Sequence, residues 1–434
     1  MAASAGAADN APSRPPVLPF IEDDYARALS EAKTRGRPIF LEAWAPWCHT
    51  CRSMRAFVFT DPALKKRAGQ FVWLSIDTEK KSNAAVLEKY PVEVWPSFFV
   101  VDPATETAAL RWVGAATVPQ LFQLFDDGRR AVRGSEKGVD GILAEADRLY
   151  GQKRNAEAAA SYRQALEKAP KGWKSRSRAV ESLLFAVKKQ KDWAGCAATA
   201  RDAFPSLADT PSAANVAGLG LDCALRMPKE DPAGAGLVAE LAADTRRVLS
   251  RPRPDIAADD VSSLYGTLAD EREAAKDAAG RRAVLQDWAA FLEAQAAGAR
   301  TPAERAVFDS HRLTVYLELN EPQRAIPMLE ASEEDFPDDY NPPSRLALAY
   351  EAMKDYEKAL HASDDALARA YGPRLVTLLV ARSRIYGEKG DAASARIAME
   401  EAVREAQALP PGQRSQSQID SLRARLDELP LPAP

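Results

Sequence analysis

Apolar and polar positions in the first third of the chain follow two periods, one typical of strands and one typical of helices. Four apolar runs have the length of buried strands: 39–44, 71–76, 94–101 and 110–114. Four segments place apolar residues three or four positions apart, as on one face of a helix: 24–36, 48–58, 84–90 and 118–125. The predicted order is one helix followed by β-α-β-α-β-β-α, with a hairpin between the last two strands. This order is typical of an α/β domain.

The pattern changes at about residue 140, where Ala, Leu, Arg and Glu recur at helical spacing with a proline about every thirty residues. Tyr316, Tyr350 and Tyr386 are separated by 34 and 36 residues, and each has an alanine nine residues later. A period of this length predicts helix-turn-helix repeats. Clear repeats occupy 141–171, 305–338, 341–372 and 374–409, and those between about 175 and 300 are degenerate. A capping helix, which such a stack needs, is predicted at 419–429.

A chain of 434 residues is too long for one ordinary hydrophobic core, so the two patterns predict two domains. The predicted divisions are an extended or disordered segment at 1–19, an α/β domain at 20–133 and an all-α solenoid at 140–430. A net charge of −4, with 28% charged residues, gives no indication of a basic surface for nucleic acid. No apolar run reaches the length that is required to span a bilayer.

The first residues bear on the compartment of the protein. Residues 1–8 are mostly alanine and other small residues, without the basic start and apolar centre of a signal peptide. Such a stretch remains when a secretory signal has been removed and a start methionine added, so we expect an exported, periplasmic protein. The alternative is a cytoplasmic protein with a flexible tail, and the four cysteines are compatible with both compartments.

Two cysteines three positions apart, Cys48 and Cys51, follow the first predicted strand and begin the next helix. Free N–H groups and the helix dipole at that point stabilise a thiolate on Cys48, and the thiolate is the nucleophile in disulfide exchange. Cys51 lies one turn further on, within reach of a mixed disulfide. The spacing predicts that Cys48 attacks and Cys51 resolves, provided that the Cys48 sulfur is open to solvent.

Two other interpretations of the cysteine pair are open. A zinc site would need two further Cys or His ligands at suitable spacing. The remaining candidates are scattered singly along the chain: His49, Cys196, Cys223, His311 and His361. A purely structural disulfide would need no reactive sulfur. The redox interpretation accounts for the position of the pair, and it requires no metal and no other cofactor.

The order of strands and helices, together with three short motifs, resembles the thioredoxin fold over residues 20–131. The motifs are Trp47-Cys48-His49-Thr50-Cys51, Trp95-Pro96 and Val113-Gly114-Ala115. Within this fold, the segment Phe59-Thr60-Asp61-Pro62 and the lead-in to the first strand are most similar to the C-terminal domain of bacterial thiol:disulfide interchange proteins.

The resemblance implies roles for two further residues. Pro96 would follow a cis peptide bond beside the cysteine pair, and its preceding residue would offer backbone groups to an extended substrate. Glu42, six residues before Cys48, would be a buried acid with a raised pKa that exchanges a proton with Cys51. The alternative for Glu42 is a carboxylate at the strand end, open to water. The lysine often found near this acid in the family is replaced by Trp73.

Four residues next to the cysteines and the proline are expected to tune the site or to bind substrate. His49 and Thr50 replace the Gly-Pro pair of general reductases, and a cationic His49 would stabilise the thiolate and raise the reduction potential. Alternatively, His49 is exposed and only modestly coupled to the cysteine. Trp47 and Trp95 flank the pair and would offer an apolar platform to an unfolded or extended substrate. The direction of electron flow stays open.

The repeats after residue 140 resemble tetratricopeptide repeats, with small residues where paired helices cross and an aromatic residue in the first helix. This resemblance implies a curved solenoid whose concave face holds a peptide or protein partner. The alternative is a rigid scaffold or dimerisation surface without a peptide ligand. Cys196 falls at a small-residue position and Cys223 on the next helix, so the two either form a structural disulfide or are separate core residues.

These observations predict an α/β thioredoxin fold followed by an all-α solenoid of the tetratricopeptide type. They favour a thiol–disulfide oxidoreductase that acts on protein clients, with an electron-donor or electron-acceptor protein as a further partner. The helical repeats would bind or position these partners. The second hypothesis is a repeat-based adaptor or chaperone-like protein whose thioredoxin-like domain is passive or senses the redox state.

Overall fold

The computed structural model describes residues 17–134 and 137–430. Residues 1–16 of the segment that was predicted to be extended or disordered, 1–19, therefore lie outside the described residues. The described residues form two units, which we call the α/β unit (residues 17–134) and the helical unit (residues 137–430). The predicted fold class, an α/β domain followed by an all-α region, is confirmed.

A mixed sheet forms the centre of the α/β unit. Its strands are β1 (Phe20–Glu22), β2 (Ile39–Trp44), β3 (Val72–Asp77), β4 (Ser97–Asp102) and β5 (Thr107–Val113). Their order across the sheet is β1-β3-β2-β4-β5. The first three are parallel, and β4 and β5 continue the sheet as an antiparallel hairpin. The central strand β2 is covered on both faces, which explains its almost continuous apolar sequence.

Helices cover the sheet on its two faces. Those of the α type are α1 (Tyr25–Arg35), α2 (His49–Ser53), α3 (Ala84–Lys89) and α4 (Val118–Val132). Helical segments of other types are a π-helical segment, Met54–Val58, and two 3₁₀ segments, Pro62–Gln70 and Lys81–Asn83. Helix α1 begins after Asp24, whose side chain accepts a hydrogen bond from the Arg27 N–H, and it ends at Gly36 in the left-handed conformation.

The sheet differs from the sequence prediction in two details. The pattern does not predict β1, because three residues are too few to show a period of two. The strand forms because it pairs with β3, from Phe20 opposite Trp73 to Glu22 opposite Ser75. Strand β4 begins at Ser97 rather than at residue 94, because Pro96 has no N–H to donate to the ladder.

Apolar side chains fill both faces of the sheet and hold β2 in place. One cluster is mainly aromatic and includes Phe40, Trp73, Phe98 and Phe125. The cluster on the opposite face includes Ala28 of α1, Leu41, Leu74 and Phe99. Because close packing fixes β2 on both faces, the turn that follows Trp44 has a defined position.

The helical unit consists of consecutive helices joined by short turns. They are α5 (Gly138–Gly151), α6 (Asn155–Lys168), α7 (Arg176–Lys189), α8 (Trp193–Leu207), α9 (Ala213–Leu225), α10 (Gly234–Ser250), α11 (Ala258–Ala274), α12 (Ala278–Ala297), α13 (Pro302–Ala306), α14 (Asp309–Glu318), α15 (Ile326–Asp335), α16 (Asn341–Ala352), α17 (Tyr356–Arg369), α18 (Gly372–Lys389), α19 (Ala392–Ala408) and α20 (Gln416–Glu428). A 3₁₀ turn, Pro322–Ala325, precedes α15. Within residues 17–134 and 137–430, every helix is too short or too polar to traverse a lipid bilayer.

Small residues allow the helices to pack closely. The alanines at the predicted crossing positions are buried: Ala158, Ala165, Ala325, Ala359 and Ala395. Consecutive helices pair as the repeats predict, for example α5 with α6, α16 with α17 and α18 with α19. The region 175–300, where the repeats are degenerate, folds into complete helices from α7 to α12. Helix α20 packs on α19 through the buried side chains of Ile419 and Leu422.

The helical unit contacts the α/β unit at its beginning, middle and end. Helices α5 and α7 pack on β5, and α11 and α13 pack on α2. In the turn after α19, Gln413 Nε2 donates hydrogen bonds to the main-chain oxygens of Thr78 and Lys80, at 2.8 and 3.0 Å. The helical unit therefore curls around the α/β unit, and its inner surface holds a domain of the same chain.

Candidate redox site

Cys48 and Cys51 form a disulfide at the start of α2. Strand β2 ends at Trp44, and a turn closed by the hydrogen bond from Cys48 N to Ala45 O, 3.1 Å long, delivers Cys48 to the N-cap position of α2. The Cys51 N–H donates to Cys48 Sγ at a distance of 3.0 Å. A donor in this position also stabilises a thiolate on Cys48 once the disulfide is reduced.

Two tryptophans flank the disulfide and are fixed by hydrogen bonds. Trp47 Nε1 donates to Glu79 Oε1 at 2.9 Å, and Trp95 Nε1 donates to Thr78 Oγ1 at 2.8 Å. The two rings lie 5.3 Å apart, and both pack against the cysteine pair. The Trp95–Pro96 peptide bond is cis. These contacts hold the two rings together beside the disulfide, and their role as a platform for substrate stays a prediction.

Glu42 is completely buried, so the alternative of a carboxylate open to water is wrong. Its Oε2 accepts a hydrogen bond from Ser75 Oγ at 3.2 Å and lies 3.3 Å from Arg55 Nη2, whereas Oε1 has no hydrogen-bond partner. Burial raises the pKa of Glu42, and the charge and hydrogen bond of Arg55 offset only part of this rise. A carboxyl group with a raised pKa suits proton exchange, and the role toward Cys51 stays a prediction.

Arg55 contacts the candidate site and was missed by the sequence reasoning. Its guanidinium lies 3.7 Å from the centroid of the Trp44 ring and also forms ion pairs with Glu42 and Glu22. One argument could have found it: a buried carboxylate such as that of Glu42 needs a cation or hydrogen-bond donors nearby. Arg55 lies one helical turn after Cys51, on the segment that leaves the active site. The lysine often found near this acid in the family is absent here, and Arg55 supplies a cation beside Glu42.

His49 faces the helical unit rather than open solvent. Its Nδ1 lies 3.6 Å from Asp259 Oδ2 of α11, and its ring centroid lies 4.0 Å from that of His311 of α14. Burial, aided by the charge of His49, lowers the pKa of His311 to about 3. Sequence analysis could not find these contacts, because more than two hundred residues separate His49 from its partners.

Cys48 is only 4% exposed and Cys51 is fully buried. The expectation that the Cys48 sulfur is open to solvent is therefore wrong for this arrangement. Cys48 packs with Ala45, Trp47 and Trp95 of its own unit. The docked helical unit packs on α2 and on the π-helical segment after it. Phe57 of that segment, for example, lies 6.5 Å from Phe308, measured between ring centroids. In this arrangement the disulfide lies close to the boundary between the two units, because α11 and α13 pack on α2.

Two of the cavities on this boundary lie close to the redox site. One, of 650 Å³, lies beside α2 and is lined by Ser53, Met54 and Phe57 of the α/β unit and by Ile256 and Phe308 of the helical unit, among others. The other has a volume of 430 Å³. Its lining includes Trp47, Trp95, Arg374 and Gln413. Both volumes are large enough for several amino-acid side chains.

Cys196 and Cys223 form a second disulfide, between α8 and α9. Both are completely buried, and their Cα atoms are 6.0 Å apart. This bond lies in the core of the helical unit, away from any tryptophan platform or proline loop. Across the described ranges, no group of three or more His, Cys, Asp and Glu residues is arranged to hold a metal ion.

Comparisons with known proteins agree with this geometry. A family model described as thioredoxin-like matches residues 21–103. These residues form a thioredoxin-like domain, and the CxxC disulfide gives it the site of a thiol–disulfide oxidoreductase. The thiol:disulfide interchange protein DsbD of Haemophilus ducreyi is 26% identical over 115 residues, which are 25% of this chain and 20% of that protein. DsbD of Yersinia enterocolitica is 31% identical over 99 residues, which are 22% of this chain and 17% of that protein.

The similarity to these relatives is local. The chain spans about a fifth of the length of the DsbD proteins that it matches. Among solved structures, a tetratricopeptide repeat protein from Parabacteroides merdae aligns with 67% of this chain and 99% of its own, with 10% identity and a TM-score of 0.41.

Proposed function

We propose that the protein is a thiol–disulfide oxidoreductase that exchanges disulfides with protein clients through Cys48 and Cys51. The observation that carries the proposal is the Cys48–Cys51 disulfide at the first turn of α2, packed against Trp47 and Trp95 in a thioredoxin-like domain. Similarity to proteins named for thiol:disulfide interchange supports the same chemistry.

The exchange takes place in two balanced steps. In the reducing direction, the Cys48 thiolate attacks one sulfur of a client cystine, and the other client sulfur leaves as a thiolate. The Cys51 thiolate then attacks Cys48 Sγ, forms the Cys48–Cys51 disulfide and releases the second client thiolate. Two electrons pass to the client, and a dithiol protein returns them to the pair. The reverse sequence oxidises a client dithiol.

The helical unit selects clients in this proposal, because it forms one wall of both cavities beside the redox site. A folded protein cannot approach a sulfur that is almost completely covered. An extended segment can enter the cavity that Trp47 and Trp95 line, where the aromatic rings offer apolar contact. The role of positioning clients thus belongs to the boundary between the units.

Insulin reduction by dithiothreitol, followed as turbidity, tests the proposed activity. We expect the wild type to accelerate the reaction and Cys48→Ser to lose the acceleration. The Cys51→Ala variant should accumulate clients as mixed disulfides on Cys48, because nothing resolves the adduct. Equal rates for the wild type and Cys48→Ser would refute an oxidoreductase.

The second candidate is an adaptor whose thioredoxin-like domain only senses redox state. It is favoured by one observation, the low exposure of Cys48 beneath the helical unit. A Cys48→Ser/Cys51→Ser variant separates the candidates, because an adaptor keeps its partners without either sulfur. If the protein is an oxidoreductase, the Cys48→Ser/Cys51→Ser variant should fail to retain the partners that Cys51→Ala traps as mixed disulfides, because it has no Cys48 sulfur.

We also propose that the protein works in an oxidising, exported compartment. The buried Cys196–Cys223 disulfide supports this location, because structural disulfides persist outside reducing cytoplasm. Alkylation of freshly lysed cells measures the state of this pair in place. We expect both cysteines to be protected as a disulfide, and free thiols would assign the protein to the cytoplasm.

A further inference from the structure

A carboxylate of the helical unit lies against the dipeptide between the two active-site cysteines. Asp259 is almost completely buried, and neither of its oxygens has a hydrogen bond of ordinary length. The nearest ionisable partner is His49, whose Nδ1 lies 3.6 Å from Oδ2. A buried charge without hydrogen bonds is costly unless an opposite charge compensates it. His49 is the group in a position to do so.

A second residue of the helical unit fixes the histidine ring. The His311 ring contacts that of His49, with centroids 4.0 Å apart. His311 is itself anchored, because its Nδ1 lies 2.7 Å from Ser262 Oγ, which accepts a hydrogen bond from Trp288 Nε1 at 2.6 Å. The low pKa of His311 keeps it neutral, so it packs on His49 without competing for a proton.

The charges around the histidine favour one anion on Asp259. Burial by itself raises the pKa of Asp259, but the interaction with His49, and to a smaller extent those with Ser53 and Thr50, outweigh burial and bring the pKa below its ordinary value. Burial and the charges of Asp259 and Glu181 raise the pKa of the neighbouring Asp260 well above its usual range. Arg345 faces His311 from α16 and adds to the lowering of its pKa. The acid pair therefore carries its negative charge on Asp259, next to His49.

We propose that Asp259 is a positioning residue for the redox site: its buried carboxylate pairs with the imidazole of His49, next to Cys48, and this pairing stabilises the Cys48 thiolate in the reduced protein. The helical unit thus sets the redox poise of a disulfide that belongs to another domain. This inference rests on the proposed function, because it concerns the sulfur that exchanges.

The test uses the full chain with Asp259→Asn, which keeps the shape of the side chain and removes its charge. The midpoint of the pH profile for alkylation of Cys48, followed by mass spectrometry, should rise by about one pH unit. The equilibrium constant with glutathione, followed by tryptophan fluorescence, should move about tenfold toward the disulfide, which is about 30 mV. The control is Asp365→Asn, since Asp365 pairs with His361 at 3.2 Å on an exposed surface.

A double-mutant cycle shows whether Asp259 acts through His49. In a His49→Gln background the cation is absent, so a lone carboxylate can only repel the thiolate. Asp259→Asn should then lower the alkylation midpoint or leave it unchanged. A midpoint that falls in the wild-type background, or that rises equally in both backgrounds, would overturn the positioning role.

Different results would refute the oxidoreductase activity and the role of Asp259. If the wild-type Cys48–Cys51 pair shows no reversible exchange with glutathione, the oxidoreductase itself is refuted. If the wild type exchanges normally and Asp259→Asn behaves like Asp365→Asn, only the inference about Asp259 is refuted.

Discussion

Arg52, the residue after Cys51, forms an ion pair with Asp339, which lies 287 residues later on the helical unit. The same guanidinium donates through Nε to the carbonyl oxygen of Pro46, at 2.7 Å. One side chain thus connects the turn before Cys48 with the domain that covers it. Docking of the helical unit and the geometry of the redox site are physically linked at this point.

Asp339→Asn should loosen the docking. Loss of a mostly buried charged partner costs about 1–3 kcal/mol, so Cys48 of the reduced protein should be alkylated roughly ten times faster. Burial raises the pKa of Asp339, but Arg52 and Asn341 lower it more, so the net pKa is low. The contribution is therefore present at neutral pH and is lost as the pH falls through that low pKa. Asp202→Asn, at an exposed pair with Arg201, is the control and should not change the rate.

Gly372→Ala should act as a wedge between the units. Gly372 has a φ of +57°, and a Cβ there would overlap the carbonyl oxygen of Glu79 in the α/β unit. Gly390 has a φ of +90° with open space around it, so Gly390→Ala carries the backbone strain of about 1 kcal/mol without the clash. We expect faster alkylation of Cys48 and a larger radius of gyration by X-ray scattering for Gly372→Ala alone. Equal behaviour of the two variants would contradict the docked arrangement.

Phe57→Asp should impair protein clients selectively. Phe57 lines the 650 Å³ boundary cavity beside α2 and is 39% exposed. If a client buries this ring, its loss removes about 1.5 kcal/mol or more, which is roughly tenfold in KM for insulin. Reduction of a small aromatic disulfide should be unchanged. Met353→Asp, at a residue that is 43% exposed and outside the cavity lining, is the matched control for surface hydrophobicity.

Glu181→Gln should change how stability depends on pH. Burial raises the pKa of Glu181 to about 7, although Asn215 Nδ2 donates to its Oε2 at 3.2 Å. A folded pKa above the unfolded one gives stability that is full below pH 4.5 and lost as the pH rises through 7. Urea unfolding should show the wild type losing about 3 kcal/mol relative to Glu181→Gln across that interval. Glu334→Gln, at an exposed carboxylate, should show no such difference.

Replacement of Cys196 and Cys223 by alanine should lower the free energy of unfolding and leave the disulfide-exchange activity unchanged. The bond closes a loop of 27 residues, and a loop of this length contributes roughly 3–4 kcal/mol in the chain-entropy account. Denaturant unfolding measures the loss. Insulin reduction by the double variant at 25 °C should match the wild type. A large loss of activity with intact folding would give this disulfide a redox role.

The sequence predicted features that depend on neighbouring residues, but it did not predict contacts between residues that are far apart in the chain. Cys48, Cys51 and Pro96 could be found because their spacing follows a single strand-turn-helix or turn-strand segment. Arg55 was missed, because its contact with Glu42 depends on how the segment after α2 returns over the sheet. The accessibility of Cys48 was predicted wrongly, because it depends on how Trp47, and Trp95 from a later turn, pack on the sulfur in three dimensions.

The sequence by itself determined the order of elements, the chemistry of the cysteine pair and the repeat length of the helices. These follow from periodicity and from residue types that act within a few turns of chain. Only the tertiary structure decided which surface the helical unit covers and which partner His49 meets. Such contacts depend on the angles between all the successive helices in the stack, which add up along the chain. A local pattern of apolar and polar residues does not determine these angles.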